Sequence, residues 1–124
     1  IIIWMTKVVA ILGGTSFEQD VARKTVAWSI KRLGLGRLRI LKVYVSIKTV
    51  IGDYTGCCEE GDSKRSYIIT ISDDQGLRDF VMTVIHEMIH VKQYVRNKWV
   101  GDGEAEAERL QELLTDELWK ENIL

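Results

Sequence analysis

This sequence of 124 residues has few cysteines, few histidines and little net charge. The 17 basic and 18 acidic side chains leave a formal net charge of −1, so composition gives no electrostatic case for binding nucleic acid. No apolar run reaches the length of about 18 residues that a membrane-spanning helix needs. With 46% apolar and 28% charged residues, the composition is that of a globular protein, and the length fits a single domain over residues 1–124.

The only two cysteines, Cys57 and Cys58, are adjacent in the sequence. Neighbouring residues on a strand point to opposite faces, and a disulfide between them would be strained. A disulfide framework is therefore excluded, and a reducing compartment is favoured. The C-x-x-C spacing of a cysteine zinc site is absent. We expect one buried and one outward-facing thiol, with a thiol close to a metal as the alternative.

The N-terminal segment from Ile1 to Leu12 is apolar but is interrupted by Thr6 and Lys7. It lacks the basic region and the small-residue cleavage site of a secretory signal peptide. We expect it to form a first strand or a packed N-terminal segment, and we expect the protein to be cytoplasmic.

Both histidines of the chain lie in one motif, His86-Glu87-Met88-Ile89-His90. In this H-E-x-x-H pattern, one helical turn brings the two imidazoles onto the same face, so both can reach one zinc ion. The glutamate between them is placed to meet a metal-bound water as general base. The motif predicts His86 and His90 as metal ligands and Glu87 as the catalytic residue. A helix that carries two histidines by coincidence is the alternative.

The pattern around the motif predicts a helix that is covered on two sides. Its apolar residues repeat with the helical period and form one stripe, and the histidines point away from that stripe. Ile85 and Ile89 flank the histidines on one side, Phe80 flanks them on the other, and Gln93 lies between them. This arrangement indicates the wall of a cleft. The stripe consists of Leu77, Val81, Val84, Met88, Val91 and Val95.

Capping and turn signals divide the rest of the chain into elements. Thr15 and Glu18 form a capping box that predicts a helix over residues 16–33. The segment 37–48 is rich in β-branched residues and changes phase once, which predicts a strand with a bulge near Ile40. Further strands are predicted over residues 54–58 and 67–71, joined by a polar hairpin connection, the motif helix over 75–97 and a last helix over 104–119.

This order of elements predicts an α+β fold. It comprises an N-terminal helix, a small and mostly antiparallel sheet of about three strands, the H-E-x-x-H helix and a final helix. The apolar first segment is either a further strand or coil.

The third metal ligand has to come from outside the motif helix. A catalytic zinc ion needs three protein ligands and an open position for water, and this chain has no third histidine. The third ligand is therefore a carboxylate or, less simply, a cysteine. The final helix opens with Glu104, Glu106 and Glu108 after a short turn, so it packs back against the motif helix. Glu104 and Glu108 share a face that can meet the histidines, whereas we expect Glu106 to be a solvated acid at the helix N-terminus.

With these motifs in this order, the chain resembles the gluzincins, zinc peptidases in which the H-E-x-x-H helix is followed by a helix that bears a glutamate ligand. It looks most like the minimal single-domain members, the minigluzincins, and the small SprT-like and phage-encoded H-E-x-x-H proteins. The resemblance is specific at residue level only over residues 85–94 and 103–108. Lys92 departs from it, because an apolar residue is expected at that position.

The resemblance implies a zincin-like fold with one Zn²⁺ ion, Glu104 as its third ligand and Glu108 as a carboxylate that orients a ligand histidine. Because the interval between His90 and Glu104 is short, Glu108 stays open as the alternative ligand.

The resemblance also implies a zinc-dependent metallopeptidase in which zinc activates a water and Glu87 is the general base. A peptide or protein substrate is expected to bind as an extended strand along an edge of the sheet. Tyr54, Tyr67 and Tyr94 are candidates for a second donor to the oxyanion. The alternative is a non-catalytic or self-inhibited zinc-stabilised domain with one specific partner. In the self-inhibited case residues 119–124 fold over the cleft, whereas the simpler interpretation is a packed terminus.

Overall fold

The computed structural model describes residues 6–49 and 52–124. Within these ranges the chain is α+β, with three helices and one four-stranded mixed sheet. No helix in the described ranges is long and apolar enough to cross a membrane. Residues 1–5 of the predicted first strand lie outside the described part. The elements are β1 (Thr6–Gly13), α1 (Ser16–Arg32), β2 (Ile40–Lys48), β3 (Gly56–Glu60), β4 (Ser66–Ser72), α2 (Leu77–Arg96) and α3 (Glu104–Lys120).

The strand order in the sheet is β1-β2-β4-β3. β1 pairs with β2 and β2 pairs with β4 in parallel, and only the β3–β4 pair is antiparallel. The prediction of a mostly antiparallel sheet of about three strands is therefore wrong. After β2 the chain crosses to the edge of the sheet and forms β3. A hairpin then leads back to β4, which lies between β2 and β3. Alternation within a strand sets which side chains share a face, but it does not set which strand lies beside it.

The predicted bulge near Ile40 is also wrong. β2 begins at Ile40, and its alternation of buried and more exposed side chains continues unbroken to Lys48. Residues 37–39 precede the strand as turn and bend, and Leu38 packs against the core from there. The change of phase in the sequence therefore marks the start of the strand.

The helices cover one face of the sheet. α1 contacts β1 and β2, α2 contacts β3 and β4, and α3 packs on α2. The buried side chains of β2 share that face with Ile69 and Ile71 of β4. On the opposite face, Tyr44 and Ile68 stay 38% and 36% exposed. α2 is the central helix, and the predicted apolar stripe is buried along it from Val81 to Val91, whereas Leu77 is exposed and Val95 is half-buried.

The capping box predicted at the start of α1 is confirmed. Thr15 Oγ1 accepts from the Glu18 backbone N–H at 3.1 Å, and the Glu18 carboxylate accepts from the Thr15 N–H at 2.7 Å. Asn97 caps the C-terminal end of α2 in the left-handed conformation, at φ 52°. The short turn that follows leads to Gly103 at φ 81°, directly before α3. This turn brings the start of α3 back against α2, beside the histidines.

Candidate metal centre

Two helices meet at the motif. α2 presents both histidines on one face, because four residues make about one helical turn. α3 begins with Glu104, whose two carboxylate oxygens each face one imidazole. His86 Nε2 lies 3.0 Å from Glu104 Oε2, and His90 Nε2 lies 2.8 Å from Glu104 Oε1. One ligand atom from each of the three residues falls within 4.8 Å of the other two.

The other nitrogen of each imidazole is bound to a glutamine. His86 Nδ1 lies 2.7 Å from Gln111 Oε1, and His90 Nδ1 lies 2.7 Å from Gln93 Oε1. An amide oxygen only accepts hydrogen bonds, so Nδ1 is the donor to each glutamine oxygen. Further hydrogen bonds of the amide fix this orientation for Gln93, which His90 contacts. In a neutral imidazole with its proton on Nδ1, Nε2 carries the lone pair, and both Nε2 atoms face the carboxylate of Glu104.

This arrangement fits a bound cation. His90 Nε2 is buried and is the only buried side-chain nitrogen or oxygen in the described part of the chain with no hydrogen-bond partner. Its lone pair faces a carboxylate oxygen at 2.8 Å, which places one acceptor against another. A buried polar atom without a partner is costly, and a divalent cation between the two acceptors would satisfy both. Two imidazoles and one glutamate, with a position left for water, form a known ligand set of catalytic zinc.

Glu87 lies on the same wall and is only 4% exposed. Burial raises the pKa of its carboxyl group to about 7; the two histidines oppose this shift and Glu104 adds to it. The backbone of β3 passes close to the carboxylate, because a Cβ atom added to Gly56 would lie 3.1 Å from Glu87 Oε2. Glu87 therefore lies between the two histidines in the sequence, and its carboxylate lies beside the edge strand β3 in the structure.

These groups line a cleft of about 930 Å³. Its walls are the start of β3 and the turn before it, the histidine face of α2, and the first two turns of α3. Tyr54, Tyr94 and Trp99 also line it, as do Asp79 and Gln111. The centre is therefore open to a molecule much larger than water.

Glu108 lies on this cleft but is exposed. Within the described ranges its carboxylate makes no hydrogen bond or ion pair with either histidine. The hydrogen bond expected of Glu108 is made by Gln111 instead. Gln111 lies seven residues after Glu104 and therefore on the same face of α3, two turns on. The structure thus brings Glu104 to the histidines and leaves Glu108 at the rim.

Glu106 is half-buried, so its interpretation as a solvated acid is wrong. Its carboxylate accepts a hydrogen bond from Gln93 Nε2 at 2.9 Å, and the same nitrogen donates to the Gly103 carbonyl at 3.0 Å. One feature of the sequence pointed to Gln93 as part of the site, because Gln93 lies on the same face of the predicted helix as the two histidines. It offered none for Gln111 or Glu106, because glutamine and glutamate are common on solvated helices.

The three candidate tyrosines fall in different places. Tyr67 is buried, stacks on Tyr94 with ring centroids 5.8 Å apart, and does not line the cleft. Tyr54 and Tyr94 do line it. Cys57 is exposed and Cys58 is half-buried at the same wall. Burial strongly raises the pKa of the Cys58 thiol, and neither sulfur belongs to the candidate ligand cluster.

The C-terminal residues do not cover the cleft. Glu121 accepts a hydrogen bond from the Trp28 indole of α1, and Arg32 of α1 pairs with Glu117 at 2.7 Å. No residue of 119–124 lines the cleft. Residues 119–124 are exposed, so the prediction of a packed terminus is not confirmed, and the alternative of a tail over the centre is wrong.

Comparisons of the chain with models of known protein families, with curated proteins and with solved structures find no match.

Proposed function

We propose that this protein is a zinc-dependent metallopeptidase with a zincin-like arrangement, in which α2 is the motif helix and α3 is the glutamate helix. One observation carries the proposal. The lone pairs of His86 and His90 converge with the carboxylate of Glu104 in an open cleft, and the buried Glu87 lies beside them. A structural zinc site closes its coordination with four protein ligands, whereas this cluster has three.

The residues around the centre have separate roles in this proposal. Zinc, when bound by His86, His90 and Glu104, supplies Lewis acidity that lowers the pKa of a water to about 7. Glu87 accepts a proton from the attacking water and donates it to the departing amine. Its side chain is buried between α2 and the start of β3. Tyr94 and Tyr54, the tyrosines that line the cleft, are the candidate hydroxyl donors to the carbonyl oxygen.

An extended peptide fits along β3. This strand is at the edge of the sheet and pairs only with β4 in the described part of the chain. Its backbone runs beside Glu87, so a peptide added as a further strand passes in front of the candidate centre. Main-chain hydrogen bonds to β3 would hold the scissile carbonyl in register.

The first test is the metal content of purified protein by elemental analysis. We expect about one zinc per chain in the wild type and in Glu108→Ala, and no zinc in Glu104→Ala. Glu108→Ala is the matched control because it removes a carboxylate from the same cleft. Zinc lost from Glu108→Ala and retained by Glu104→Ala would overturn the proposed ligand set. A wild type that takes up no zinc would overturn the metal site.

The second test separates catalysis from a purely structural role. Glu87→Gln preserves the shape of the side chain but cannot accept the proton. We expect it to retain zinc and its unfolding midpoint, and to lose peptide hydrolysis by about a hundredfold or more. Full activity in Glu87→Gln would contradict the proposed role. The alternative function, a zinc-stabilised domain that binds one specific partner, predicts that even the zinc-loaded wild type does not cleave peptides.

A further inference from the structure

Gln93 makes three side-chain hydrogen bonds that join both helices of the candidate centre. Its Oε1 accepts from His90 Nδ1 at 2.7 Å. Its Nε2 donates to the Gly103 carbonyl at 3.0 Å and to Glu106 Oε1 at 2.9 Å. The side chain is buried, since the residue is only 3% exposed. One amide thus connects a ligand of α2 to the backbone directly before Glu104 of α3.

The two acceptors on α3 determine which way this amide points. A backbone carbonyl and a carboxylate can only accept, so both must face the NH₂ group of Gln93. The oxygen is then forced toward His90, and the imidazole must carry its proton on Nδ1. Through this chain of contacts, Gly103 and Glu106 determine that the Nε2 lone pair of His90 points at Glu104. Gln111 has only a single side-chain hydrogen bond in the described ranges, the one to His86.

We propose that Gln93 is the positioning residue of this centre: it holds His90 in the ligand tautomer and fixes the start of α3, so that Glu104 is in place before a metal binds. The proposal rests on the metal site of the proposed function, but its first readout needs neither zinc nor catalysis. It explains why a buried amide stands on the histidine face, where an apolar residue would pack as well. Partners that hydrogen-bond to metal ligands typically change metal affinity by about 10–100-fold.

The first experiment compares Gln93→Leu with Gln111→Leu. Each variant removes the amide group that hydrogen-bonds to one of the two histidines and keeps a side chain of similar volume. Imidazole ¹H–¹⁵N spectra of the full chain, recorded with and without zinc, report which ring nitrogen is protonated. In Gln93→Leu without zinc we expect His90 to lose its single tautomer while His86 keeps its own, and in Gln111→Leu the reverse. A His90 spectrum unchanged by Gln93→Leu would overturn the proposal.

The second experiment exchanges donor and acceptor, because Gln93→Leu also leaves two buried acceptors unpaired. In Gln93→Glu a carboxylate faces Glu106 and the Gly103 carbonyl, so we expect zinc affinity to fall by about 10–100-fold. In the double variant Gln93→Glu/Glu106→Gln, residue 106 becomes the donor and the carboxylate at 93 again accepts from His90. The Gly103 carbonyl stays without a donor, so we expect the double variant to recover part of the lost zinc affinity. Equal affinities in the single and double variants would contradict a role that depends on these hydrogen bonds.

The third experiment tests the link to α3 through two glycines of the same turn. Gly101 and Gly103 both adopt positive φ, at 62° and 81°. A Cβ atom at residue 103 would overlap Gln93 Oε1, whereas one at residue 101 would meet nothing within 4 Å. Gly101→Ala therefore measures backbone strain alone. We expect Gly103→Ala to weaken zinc binding by at least tenfold relative to Gly101→Ala. Equal zinc affinities in these two variants would contradict the proposal that Gln93 fixes the start of α3.

Discussion

At the scale of single residues, the candidate centre depends on which ring nitrogen of each histidine holds the proton. Glutamine is suited to this task, because its amide carries an acceptor and a donor on one rigid group. A carboxylate in place of Gln93 would meet the acceptors of Gly103 and Glu106 and would be repelled. Gln93 therefore offers an acceptor to His90 and a donor to Gly103 and Glu106, so each of its hydrogen bonds joins one donor to one acceptor.

The two cysteines give a residue-scale prediction that does not depend on metal binding. Cys57 is exposed, whereas Cys58 is half-buried and burial strongly raises the pKa of its thiol. The thiolate is the reactive form, so Cys58 stays largely unreactive near neutral pH. We expect iodoacetamide to modify one thiol per folded chain, and Cys57→Ser to abolish that modification as measured by mass spectrometry. Rapid modification of Cys58 in folded Cys57→Ser would contradict the burial seen here.

At the scale of elements, the distance between β3 and α2 is set by a residue without a side chain. A Cβ atom on Gly56 would lie 2.7 Å from Thr83 Cγ2 and 3.1 Å from both the Thr70 carbonyl oxygen and Glu87 Oε2. Thr83 is buried, and its β-branched side chain has little freedom to move aside. The edge strand can therefore lie against the candidate centre only while residue 56 is glycine.

We predict that Gly56→Ala destabilises the protein by about 1–3 kcal/mol through overpacking. Gly36→Ala is the matched control, since its added Cβ would meet nothing within 4 Å and its φ is not positive. We expect Gly36→Ala to change the free energy of unfolding by less than about 1 kcal/mol. Urea denaturation of the two variants measures the difference. Equal stabilities would show that β3 can move away from α2 at little cost.

At the scale of the whole molecule, charge is unevenly distributed although the net charge is only −1. No Lys or Arg lines the cleft anywhere in the part of the chain that the structure describes. Besides Glu87 and Glu104, four further carboxylates do: Asp53, Asp79, Asp102 and Glu108. Over residues 6–49 and 52–124, none of these four forms an ion pair with Lys or Arg. Unpaired charges of one sign in a concave site attract ligands of the opposite sign.

The proposed peptidase should therefore prefer cationic substrates. We predict that a peptide flanked by lysines is cleaved with a kcat/KM about tenfold above that of the same peptide flanked by glutamates at low salt. The ratio should shrink as salt screens the cleft, and it should fall in the double variant Asp79→Asn/Glu108→Gln. Kinetics at two ionic strengths measure both effects. A ratio near one at low salt would refute a role for the cleft charge.

The extent to which the sequence specified the molecule can be judged from particular elements. The capping box at Thr15 and the bounds of α2 were predictable, because caps and helical periodicity act over a few neighbouring residues. The pairing of β1 with β2 and the insertion of β4 between β2 and β3 were not. They depend on contacts between strands that are distant in sequence, and no local pattern encodes them.

The sequence by itself determined the helical motif that places His86 and His90 on one face with Glu87 between them, because helical spacing alone fixes that geometry. It also made the acidic start of the next helix the favoured source of a third ligand for the proposed metal. Only the tertiary structure brings one of those acids, and not the others, to the two histidines. The turn through Gly103 sets the position of α3 on α2, so Glu104 faces both imidazoles, while Glu108 is left at the rim. The roles of Gln93 and Gln111 were likewise decided by packing, since a glutamine becomes a partner of histidine only when another helix brings it there.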